Sequence, residues 1–139
     1  MGALTNFAES GLLNYLFRGG TFAKPSELYV GLLGAFDPDE MEKGNISSEI
    51  TGGGYQRVKF PCNEESWKAP YSTGTAMMVH NQSGILFPVA TSAQGFVSGV
   101  FLINNGTDVL FYGALTTVKN IRVDDQFTFA SGALKITFD

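Results

Sequence analysis

The chain has 139 residues, of which 44 % are hydrophobic and only 16 % charged, with a net charge of −4. That length suits one domain, residues 1–139, with a full-sized core, and a charged share well below the usual ~25 % implies that part of the surface is not built to face water. Nine scattered basic residues leave no electrostatic footprint for nucleic acid, and a lone cysteine, Cys62, excludes an internal disulfide.

Residues 3 to 18 read as a helix, because Leu4, Ala8, Leu12 and Leu16 recur at four-residue spacing while Phe7, Leu13 and Phe17 widen the apolar stripe. Asn6 with Glu9 fits a capping box, Thr5 is the alternative cap, and Gly19-Gly20 ends the segment, giving 3–20 as its span. The helix packs either on its own domain or on a neighbouring subunit, and its broad apolar face makes Leu4, Phe7, Leu12 and Leu16 the candidate contacts. No basic region precedes the first apolar run, so no signal peptide is expected and synthesis in a bacterial cytoplasm is. No apolar run nears the roughly 18 residues of a spanning helix, and no membrane partner is expected.

From residue 26 to 139 the pattern is that of strands and turns, favoured by 12 Phe, 5 Tyr and 17 Gly. Leu28–Leu33 reads as a buried strand, residues 37 to 54 as a polar excursion closing on Gly52-Gly53-Gly54, and Tyr55–Phe60 as a strand ending at Pro61. An irregular stretch, 61 to 76, carries Trp67 and Tyr71; short strands follow at Met77–His80 and at Ile85–Phe87, the latter stopped by Pro88. Phe96–Ile103 and Val109–Leu115 flank Asn105-Gly106, a strong hairpin signal. In the last fourteen residues Phe127 and Phe129, then Leu134, Ile136 and Phe138, alternate with polar residues around Ala130-Ser131-Gly132-Ala133. This predicts a second hairpin, with those five residues inward and Lys135, Thr137 and Asp139 outward, available to another subunit. Seven or eight short strands make the fold mainly β, an antiparallel β-sandwich or jelly-roll-like body with one N-terminal α-helix.

Chemistry is scarce. Every histidine-based metal site or nucleophile–base pair would depend on His80, at a strand end, and Cys62 has no CxxC partner. The run Asp37–Glu42 fails the EF-hand pattern at Met41, and the glycine triplet lacks the Lys-Ser/Thr of a phosphate loop. Asn45, Asn81 and Asn105 match the N-glycosylation pattern by chance. No catalytic residue, cofactor or metal ligand is expected, and the reading points away from an enzyme.

Several blocks resemble small structural proteins of tailed bacteriophages: Leu28–Leu33, Glu49–Arg57, Ile85–Thr91, Leu110–Lys119 and Phe127–Asp139, in that order, with the opening helix and its Gly-Gly stop. Gln94 stands where many members have Trp, Val118 replaces a Pro, and Asp124-Asp125 replaces a Gly-Asp turn. Such proteins are usually labelled tail fibre proteins and are similar to capsid decoration or cement proteins. The resemblance implies a virion component and has no catalytic residues to transfer. The expectation is a homo-oligomer, a trimer, bound to other virion proteins such as the major capsid protein, with capsid decoration ahead of a short tail fibre. In the fibre alternative, Tyr55, Trp67 and Tyr71 stack on a host glycan.

Overall fold

The computed structural model describes residues 3–105 and 107–138. It is mainly β with antiparallel pairing throughout, and one α-helix near the N-terminus, as the alternation of apolar residues predicts. The elements are β1 (Ala3–Leu4), α1 (Asn6–Phe17), β2 (Glu27–Leu33), α2 (Pro38–Glu42), β3 (Val58–Pro61), β4 (Tyr71–Ser72) and β5 (Met77–His80). They continue with β6 (Ile85–Leu86), β7 (Gly95–Ile103), β8 (Val109–Ile121), β9 (Thr128–Phe129) and β10 (Lys135–Phe138). A five-stranded sheet runs β1-β8-β7-β2-β3, accompanied by a β10-β5-β4 sheet and a β6-β9 pair.

The five-stranded sheet is buried on both faces at its centre, which is why β2 and β7 read as continuous apolar runs rather than alternating ones. On one face Leu28, Val30, Leu32, Val100 and Leu102 meet Ile85, Phe87, Phe129 and Leu134 from the smaller sheets. On the other, Leu33, Phe101, Ile103 and Tyr112 are covered by Met41, Phe36 and Ile46 from the excursion after β2. The excursion expected to be polar loop therefore contains α2, capped by Asp37, and closes the second face through Met41, which is 1 % exposed. Gly31 is obligatory here: a Cβ would come within 2.1 Å of the Phe101 ring that lies across it. The β7–β8 hairpin forms as expected, with β8 extending six residues beyond Leu115 and bulges in the register at Val97/Gly99 and Leu102/Ile103.

Three expectations are corrected. Leu4 lies in β1, paired with Phe111 of β8, and the helix begins only at Asn6, because Thr5 is the cap: its Oγ1 accepts from the Ala8 N–H at 3.3 Å. Thr5 also donates from Oγ1 to the Val109 carbonyl at 2.5 Å, which fixes the start of the helix to β8.

The C-terminal hairpin does not form. β9 pairs with β6 and β10 with β5, so the turn at Ala130–Ala133 carries the chain from one sheet to another. Alternation sets which face a residue takes, whereas the strand partner is set here by Asn81. Asn81 is 0 % exposed; its Nδ2 donates to Ser83 O and Ala130 O, its Oδ1 accepts from Leu134 N–H at 2.9 Å, and its carbonyl accepts from Gly132 N–H at 2.7 Å. Gly132 takes the positive φ of 82° that this turn requires, as its sequence position predicts.

Facing also departs from the simple alternation. Phe129 and Leu134 are buried and Lys135 is exposed as expected, but Phe138 is 48 % exposed and Thr137 is turned partly inward. The Thr137 Oγ1 is buried, with no hydrogen-bond partner among the described residues. Asp139 and Gly106 lie outside the described residues.

Candidate functional site

His80 and Cys62, on which nucleophilic or histidine-based metal chemistry would depend, sit in structural settings. The His80 ring packs edge-on against Tyr71 at 5.6 Å between centroids, and its Nδ1 lies 3.1 Å from the Asn81 carbonyl. Burial pushes the Cys62 thiol pKa up, the opposite of what a nucleophilic thiolate requires. Among the described residues no three His, Cys, Asp or Glu side chains are placed to hold a metal ion, and no helix is long and apolar enough to cross a membrane.

The three aromatics proposed to meet a glycan are not brought together. The Tyr55 hydroxyl accepts from the Leu32 N–H at 2.9 Å and donates to Glu49 Oε2 at 2.8 Å. Burial raises its pKa well above the ordinary tyrosine value, and the Glu49 hydrogen bond adds to that. Glu49 in turn takes a bidentate pair from Arg57, both bonds at 2.8 Å, which raises the guanidinium pKa further. Arg57 lies over the Phe101 ring at 5.4 Å. The Glu49–Arg57 block is thus an internal clasp. Its three glycines all take positive φ, 78°, 60° and 78°, and the Gly53 carbonyl accepts from Thr91 N–H and Gln94 Nε2 at 2.9 Å each. Gln94, where many of the resembling proteins have Trp, is one of the groups that holds the two loops together. Trp67 packs edge-on against Phe60 and donates from Nε1 to the Pro61 carbonyl at 3.1 Å. Tyr71 is half-buried, its hydroxyl 3.0 Å from Met78 Sδ.

Besides scattered exposed apolar side chains such as Phe96, Leu86 and Val123, apolar surface is left uncovered at two clusters. The first is α1. Its own domain covers Ala8, which is 1 % exposed, and partly covers Leu12. Phe22, in the segment that returns from the helix, lies edge-on to Phe7 at 6.2 Å and so close to Gly11 that a Cβ there would meet its ring carbons at 2.9 Å. The remaining face has no cover: Leu13 is 57 %, Leu16 65 % and Phe17 77 % exposed, with Tyr15 beside them at 56 %. Residues at i, i+3 and i+4 share one helix face, so Leu13, Leu16 and Phe17 form a single ridge over the last two turns. Of the helix residues expected to make contacts, Leu16 lies on this ridge, Phe7 is 49 % exposed against Phe22, Leu12 faces the domain, and Leu4 belongs to β1.

The second is a groove of about 1070 Å³ between the segment after β3 and the β10-β5-β4 sheet. Trp67, Met77, Met78, Phe111, Ile136 and Phe138 line it, with Lys24 and Lys68 at its rim. A smaller cavity of about 360 Å³ adjoins it near β1 and contains Thr137. Sequence reasoning missed the groove and the Leu13–Phe17 ridge as a unit. The available signal was that α1 carries apolar side chains on every side, a pattern usual for a helix that becomes buried.

The family described as Podophage GP4 fiber I protein gp80 matches residues 3–137. The chain belongs to this phage fibre protein family. No curated protein matches it. Membership makes the chain a phage structural protein and a virion component. The match spans the internal clasp, the Asn81-bound turn and both uncovered apolar surfaces of this fibre-family protein. At Asp124, where the resembling proteins carry Gly, φ is +70°, a left-handed conformation that Asp tolerates better than most residues.

Proposed function

We propose that the protein is a non-enzymatic fibre subunit of a podophage particle that works by associating with copies of itself and with neighbouring virion proteins. The single observation that carries this reading is the match of residues 3–137 to a podophage fibre family. Uncovered apolar surface supports it. Leu13, Leu16, Phe17, Met77 and Phe138 are each about half exposed or more, and patches of this kind on a soluble chain mark sites of protein contact. The engagement of His80, Cys62 and the Glu49–Arg57 clasp in internal packing favours a structural role over a catalytic one.

The family description favours the fibre over capsid decoration. The committed hydroxyl of Tyr55 and the Trp67 Nε1–Pro61 bond weigh against a glycan platform built from Tyr55, Trp67 and Tyr71. Electron cryomicroscopy of the particle tests this reading: density for this chain is expected in a fibre at the neck or tail. Density confined to the joints between capsomers would replace it with the decoration role.

A further inference from the structure

We draw no further inference here: the strongest candidate, the apolar groove between the segment after β3 and the β10-β5-β4 sheet, lined by Trp67, Met77 and Phe138, carries nothing because nothing in the structure shows what covers it.

Discussion

The centre of the five-stranded sheet and the periphery formed by α1 and the β10-β5-β4 sheet use the same kinds of side chain to opposite ends. Val30, Leu32, Val97 and Phe101 are fully buried by their own chain, while Leu16, Phe17 and Met77 stand open to solvent. Composition does not separate the two regions; position relative to the sheet does. A chain with few charges can meet its deficit of polar surface either by folding inward or by meeting another molecule, and this one does both in different places.

The sharpest way to break the central region is Phe101→Ala. The ring is 0 % exposed, lies across Gly31 and beneath Arg57, and its removal leaves a cavity that the rigid sheet cannot close. A loss of about 3–5 kcal/mol is expected in urea unfolding. Glu49→Ala comes next. It deprives both the Arg57 guanidinium and the Tyr55 hydroxyl of their acceptor in a partly buried setting, for about 2 kcal/mol in the same measurement.

The clasp also makes the core sensitive to alkali. The folded-state pKa of Tyr55 is raised by burial, so the unfolded chain releases this proton first. Stability contributed by the neutral phenol is fully present below pH 10, the ordinary tyrosine value, and declines as pH rises beyond it. Chemical unfolding followed from pH 8 to 11 should show that decline, and Tyr55→Phe should lessen it, leaving the share of Tyr112, whose pKa burial also raises. At the periphery the expectation reverses. Leu16→Ser, at a site 65 % exposed, should shift the stability of the isolated fold by less than about 0.5 kcal/mol. A larger loss would mean that the helix face is satisfied within its own domain.

Much of the central region was legible in the sequence. Continuous apolar runs announce β2 and β7, the Asn-Gly pair announces β8 as the hairpin partner of β7, and Thr5 is one of the two caps the sequence offers for α1. What alternation could not supply was pairing. The residues from Phe127 to Phe138 obey period two equally well in a hairpin or in two different sheets, and the choice falls to Asn81, about fifty residues upstream, whose glycosylation-type tripeptide carries no information on strand pairing. Nor could spacing show that the polar excursion would close the second face of the sheet, because Met41 is one apolar residue in an acidic run. The uncovered periphery was half legible: the breadth of the helical stripe was plain, but the groove is assembled from five separate stretches of chain. Asp124 is the reverse case, a departure at a turn whose cause becomes plain once its φ of +70° is known.

Amide hydrogen exchange as a function of protein concentration tests the contrast between the two regions most directly. The account predicts that protection of residues 12–17 of α1 and 76–80 around β5 rises together as concentration increases, while β2 and β7 stay equally protected at every dilution. Concentration-independent exchange in α1 and β5 would contradict it.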